Sequence, residues 1–161
     1  MKKNELQALV MLAETLYGAS SVVLIDAPEE CHLVRKRRDD LLLLQISRDS
    51  VESTDSIIQI MGDAGVVGRS WIYPVDMVVF GDIVVCGDML ADRIDVWIPR
   101  MIHNGICVFL DYEHAKQTID EKMEEFEQIA HAGNLVAYRI TDDVTFTSWA
   151  MLTENADTVI Q

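Results

Sequence analysis

Short apolar runs, each no longer than one strand, constrain this chain more than any other feature. Ser21-Val22-Val23-Leu24-Ile25-Asp26 contains one, residues 41–46 (Leu-Leu-Leu-Leu-Gln-Ile) a second and residues 106–110 a third. A strand with one wet face alternates apolar and polar residues, whereas a nearly continuous apolar run marks a strand covered on both sides. The segments between them carry helical spacing instead. Residues 4–17 place Leu6, Leu9, Val10, Ala13, Leu16 and Tyr17 on one side before Gly18. Pro28-Glu29-Glu30 opens a second helix reaching about Arg38, because proline suits a first turn and carboxylates suit the positive end of the helix dipole. Helices alternating with doubly covered strands predict an open, mostly parallel α/β sheet in three layers.

Further along, Val51, Thr54, Ile58 and Met61 share a helical face, so residues 50–61 read as a third helix stopped by Gly62-Asp63-Ala64-Gly65. Residues 69–73, 76–80 and 82–86 are strand-like; Gly81 alone separates the last two, which suits either a hairpin or one long bulged strand. Leu90, Ile94, Trp97, Ile98 and Met101 mark another helix, followed by a turn at His103-Asn104-Gly105. Residues 115–130 read as an amphipathic helix through Ile119, Met123, Phe126 and Ala130, capped by Gly133. Residues 135–140 and 144–152 then form a C-terminal antiparallel hairpin around Thr141-Asp142-Asp143. No repeat or linker divides the 161 residues, so a single domain spanning 1–161 is expected.

Charge narrows the partners. There are 13 basic and 27 acidic side chains, a net charge of -14. Such a surface repels phosphate backbones and anionic lipid, so direct nucleic-acid or membrane binding is not expected. The acidic surplus is densest between Asp111 and Glu127, a solvated helix face or a place for a basic protein. The basic cluster Arg35-Lys36-Arg37-Arg38 reads as a helix end, with a phosphate contact as the alternative. Cys31, Cys86 and Cys107 are odd in number and widely spaced, which suits buried reduced thiols in a cytoplasmic protein. No apolar run reaches bilayer length and no signal-peptide pattern is present. Trp71, Trp97 and Trp149 read as core residues, and Trp149 in the terminal hairpin also suits a homodimer edge.

Three stretches together resemble the class I S-adenosylmethionine-dependent methyltransferases. They are Asp82-Ile83-Val84-Val85-Cys86-Gly87-Asp88, then residues 92–101 with their Trp97-Ile98-Pro99-Arg100-Met101 ending, then Asn104-Gly105 leading through an apolar run to Asp111-Tyr112. The opening helix and first strand are similar to that family's entry as well. The resemblance implies a methyltransferase-like Rossmann fold, S-adenosylmethionine as cofactor and methyl transfer to an unknown acceptor. It also implies a glycine-rich turn after the first strand, where the chain instead reads Asp26-Ala27-Pro28-Glu29-Glu30-Cys31. In the same way, the acidic residue that ends the family's second strand is replaced by Gln45-Ile46-Ser47, with Asp49 beyond.

Ligands of open α/β sheets sit at the carboxyl ends of the strands. Asp26, Ala27, Ser47 and Asp88 are therefore the expected cofactor-binding residues, and Asp111 and His114 the expected catalytic base candidates. Asp88, Asp111, Glu113 and His114 also have the chemistry of a Mg or Mn site, although helix caps and loop ends explain them more simply. His103 and His131 read as cations at helix C-termini. A methyltransferase, a non-catalytic relative using its acidic surface to hold a protein, and an acidic decoy for a nucleic-acid-binding protein all remain open at this point.

Overall fold

The computed structural model describes residues 1–48, 56–81 and 89–141. The described elements run α1 (Lys3–Glu14), β1 (Ser21–Ile25), α2 (Pro28–Arg37), β2 (Leu42–Ser47), β3 (Ile57–Met61), α3 (Ala64–Arg69) and β4 (Val75–Phe80). They continue with α4 (Leu90–Trp97), β5 (Met101–Phe109), α5 (Lys116–Lys122), β6 (Glu127–Ala132) and β7 (Leu135–Arg139). The strands form one sheet in the order β3-β2-β1-β4-β5-β7-β6. Pairings from β3 to β5 are parallel, whereas β7 runs antiparallel to both β5 and β6. The expected α/β class, with its mostly parallel sheet and late antiparallel hairpin, is what forms.

Two cores lie on the two faces of this sheet, and the period of two along each strand divides its residues between them. Val23 and Ile25 of β1 join Val78, Phe80, Cys107 and Phe109 beneath α3, α4 and α5. Val22 and Leu24 join Met77, Val79 and Val108 beneath α1 and α2. The doubly apolar runs are thus explained by helices on both sides. Trp97 is fully buried and donates its indole N–H to the Ala64 carbonyl at 3.0 Å, with Trp71 leaning on it at 5.6 Å between ring centroids. Cys31 and Cys107 are free thiols, both buried; Cys86 and Trp149 lie outside the described residues.

Several expectations are corrected. Residues 57–61, expected to end a helix, form β3, which pairs in parallel with β2 from Leu43↔Ile57 to Ser47↔Met61. Gly62-Asp63-Ala64-Gly65 is therefore a strand-to-helix turn and not a helix stop. Residues 69–73, expected as a strand, are the end of α3 and a loop. The expected helix over 115–130 stops at Lys122, a turn follows and β6 begins at Glu127, so His131 stands on a strand. Gly133, expected as a helix cap, opens the β6–β7 turn at φ +57. The hairpin is therefore β6–β7, one element earlier than expected, while residues 142–161 lie outside the described residues. Met101 leaves the helix and begins β5, which bulges through residues 102–105, with Asn104 at φ +63. Among the described strands, β3 and β6 are the sheet edges. An edge strand has one partner and one wet side, so it lacks the dense apolar signature of the central strands.

Candidate functional site

From β1 the chain builds outward through β2 to β3, then returns to β4 on the other side of β1. A sheet that reverses its winding in this way leaves a crevice at the carboxyl ends of the two strands, and this is where such sheets bind ligands. Here backbone hydrogen bonds tie the crevice floor together. The amide N–H of Asp26 donates to the Ile46 carbonyl at 2.9 Å, and that of Gly81 to the Ile25 carbonyl at 2.8 Å. Asp26 adopts φ +51, a left-handed conformation that glycine would take without strain. Gly81 supplies the missing room from the neighbouring strand: a Cβ there would stand 2.4 Å from the Asp26 carbonyl oxygen and 2.7 Å from Ala27 Cβ. The family's glycines belong in the first turn, whereas this chain keeps a glycine across from it.

Above this floor opens a cleft of about 500 Å³, lined by Lys2 and Glu5 of the α1 end, Asp26, Glu30, Gly81, Leu110, Asp111 and Asn134 among others. Carboxylates dominate it. Glu5 is 5% exposed. Burial pushes the Glu30 carboxyl above its ordinary range. Of the expected site residues, Asp26 and Asp111 meet in this cleft. Ala27 is buried under the turn, Ser47 ends β2 away from the lining, and Asp88 lies outside the described residues.

A 3-10 turn at Tyr112–His114 folds His114 back on Asp111, with Nδ1 2.5 Å from the carboxylate Oδ1. This hydrogen bond and the charge behind it raise the imidazole pKa above 6.5, while the ring stays exposed. With Nδ1–H donated to Asp111, Nε2 is the nitrogen left to accept a proton. Among the described residues no group of three or more His, Cys, Asp or Glu side chains is gathered closely enough to hold a metal ion.

Glu5, Gly81 and Asn134 escaped the sequence reading, whereas Glu30 stands in the turn after the first strand where the family's glycines were expected. For Glu5 a signal was available. It shares the buried side of α1 with Leu9, Leu12 and Ala13, and a carboxylate in an apolar stripe calls for an explanation. The others depend on how distant elements meet.

A second constellation occupies the carboxyl ends of β2 and β3. Asp63 caps α3, accepting from the Gly65 amide at 2.8 Å and the Val66 amide at 3.3 Å. Its other oxygen takes Arg48 at 2.8 Å and the buried Arg93 at 2.9 Å. Partial burial opposes the charge, but Arg48, the cap amides and Arg93 outweigh it and hold the carboxyl down at about 2. An arginine follows Ser47 at the end of β2, where the resembled family carries an acidic residue.

Sequence comparison finds no matching family model and no matching curated protein. Structural comparison is decisive for the architecture. An rRNA methylase from Streptococcus thermophilus superimposes with a TM-score of 0.64 at 13% identity, covering 88% of this chain and 99% of that one. The chain has the class I methyltransferase fold. A TehB-like SAM-dependent methyltransferase from Corynebacterium glutamicum shares it at a TM-score of 0.61 and 10% identity, over 88% of this chain and 89% of that one. So does PigF with SAH, at 0.62 and 9%, over 87% of this chain and 55% of that one. At these identities the likeness is one of fold, and any methyltransferase chemistry has to be argued from the cleft itself.

Proposed function

We propose that this protein binds S-adenosylmethionine in the cleft between the ends of β1, β4 and β5, and that it transfers the methyl group to an acceptor. The observation that carries this reading is the acidic lining of a cleft at the sheet's winding reversal. Glu29 and Glu30 in the first turn of α2 repel a phosphate from the helix end where dinucleotides would place theirs. A cation is favoured in the same place. S-adenosylmethionine, when bound, supplies an electrophilic methyl on a positively charged sulfonium.

The residues fit such a group in charge and in room. About 500 Å³ is available, and Glu5, Asp26, Glu30 and Asp111 face it against Lys2. Asp26 and Ala27 would border the cofactor at the β1 turn, with the Asp26 backbone held by its bond to Ile46. Asp111 orients His114, whose Nε2 would take the proton leaving the acceptor. Among the described residues the cleft is open rather than plugged by side chains, which supports the catalytic reading over the interaction module. Free buried thiols at Cys31 and Cys107 support a reducing, cytoplasmic setting.

Titration calorimetry with S-adenosylmethionine and S-adenosylhomocysteine tests the reading. Binding in the micromolar range is expected, weakened about tenfold by Asp26→Asn. An absence of heat at about 1 mM of either ligand would overturn it.

A further inference from the structure

The run Arg35-Lys36-Arg37-Arg38 divides into two pairs with different surroundings. Arg38 turns inward to the end of α1, its guanidinium Nη1 donating to the carbonyls of Ala13 at 3.1 Å and Leu16 at 2.8 Å. Arg35 donates to the carbonyls of Arg38 at 3.0 Å and Leu41 at 2.7 Å. These two hold the α1 and α2 ends in place. Lys36 and Arg37 are exposed instead, and among the described residues no ion pair reaches either.

They border a groove of about 570 Å³ between α1 and α2. Its floor is apolar: Leu6, Val10 and Met11 form a second stripe on α1, beside the buried one, and Leu33 faces them from α2. Met11 is 66% exposed. Lys3 closes the rim at the far end, so every charged side chain lining the groove is a cation, on a chain whose net charge is -14. Its lining on α1 runs from Lys3 to Met11, about 12 Å or roughly two helical turns.

We propose that this groove is a docking site for an acidic amphipathic helix of a partner protein. Its apolar stripe would seat on Leu6, Val10 and Leu33, and its carboxylates on Lys3, Lys36 and Arg37. Apolar side chains spaced along one face of a helix match a groove of this shape, and the cationic rim selects the charge of the flanks. A concave groove between two helices receives a third helix better than it receives a flat bilayer.

The test uses the full chain and two synthetic helical peptides of about 14 residues that share one leucine stripe, flanked by glutamate in one and lysine in the other. Fluorescence anisotropy is expected to show the glutamate peptide binding at least about tenfold tighter. The double variant Lys36→Glu, Arg37→Glu should cancel or invert that preference. Met11→Glu, a surface change with little risk to folding, should weaken the glutamate peptide while leaving the thermal midpoint unchanged. Equal binding of the two peptides, or a preference untouched by the double variant, would overturn the proposal. Two further outcomes would reassign the groove and overturn it equally. One is binding to phosphatidylserine vesicles that the double variant abolishes, with no peptide preference. The other is a dimer dissociated by Met11→Glu. S-adenosylmethionine binding, read separately, does not bear on any of these outcomes.

Discussion

Arg93, 1% exposed on α4, places Nη2 2.9 Å from Oδ2 of Asp63, the residue that caps α3. One carboxylate thereby joins two helices and the end of β2, because Arg48 reaches the same oxygen. Asp63→Asn keeps an acceptor for the α3 amides but removes the carboxylate that, among the described residues, pairs with Arg93. A buried guanidinium in that state costs about 3 kcal/mol, which urea denaturation would read as a lowered midpoint. Adding Arg93→Leu should return part of the loss.

The same carboxyl links stability to pH. Its folded pKa of about 2 lies below the ordinary 3.8, so its contribution is fully present above about pH 4. That contribution fades as pH falls toward 2. Denaturation midpoints compared between wild type and Asp63→Asn should converge over this interval.

Gly81→Ala puts a methyl group against the Asp26 carbonyl at 2.4 Å, and backbone on a paired strand end has little freedom to retreat. Overpacking of this kind costs about 1–3 kcal/mol. Calorimetry should show both a lower thermal midpoint and weaker S-adenosylmethionine binding, since the β1 turn forms the cleft floor. Unchanged binding would separate the turn from the site.

His114 should titrate above 6.5 in a proton NMR experiment, and Asp111→Asn should bring it back toward that value. Because the folded pKa is raised, any stabilisation from the pair is complete below pH 6.5 and is lost as pH rises through the folded value. Methyl transfer, if His114 accepts the proton, should rise with pH over the same interval, and the Asp111→Asn profile should shift to lower pH.

Gln45 is fully buried in β2, and among the described residues neither its Oε1 nor its Nε2 has a hydrogen-bond partner. Replacing an unpaired buried amide by an apolar side chain of similar size removes its desolvation cost, so Gln45→Met should stabilise the fold by about 1–2 kcal/mol. A chemical denaturation curve shifted to lower urea would contradict this.

The central strands were legible in the sequence because helices cover both of their faces, and nothing but apolar residues suits such positions. Residues 22–25 of β1, 77–80 of β4 and 106–109 of β5 follow that rule, as do residues 43–46 of β2 apart from Gln45. β3 and β6 do not. Ile58 is 48% exposed and Met61 73% exposed at one edge, and Glu127 and His131 are exposed at the other. With half of each strand in solvent, spacing alone admitted a helix in both places. Within the cleft, Asp26 and Asp111 could be named because they directly follow apolar runs. Glu30 lies in the turn after the first strand and was in reach for the same reason, but Gly81 and Asn134 were not, since each matters only through an element far away in the chain.

Local pattern by itself therefore determined the class of fold: apolar runs of strand length, separated by helical spacing, have few ways to be covered on both faces. It also marked the strand ends where a ligand would sit. Tertiary structure alone decided which strands became edges, that the hairpin is β6–β7, and that Glu5 reaches a cleft built by β1, β4 and β5. It also decided that Lys36 and Arg37 border an apolar groove while Arg35 and Arg38 are spent on helix ends. Periodicity reports how deeply a residue is buried along its own element. Which distant surface buries it is a matter of pairing between segments far apart in sequence, and no local pattern carries that information.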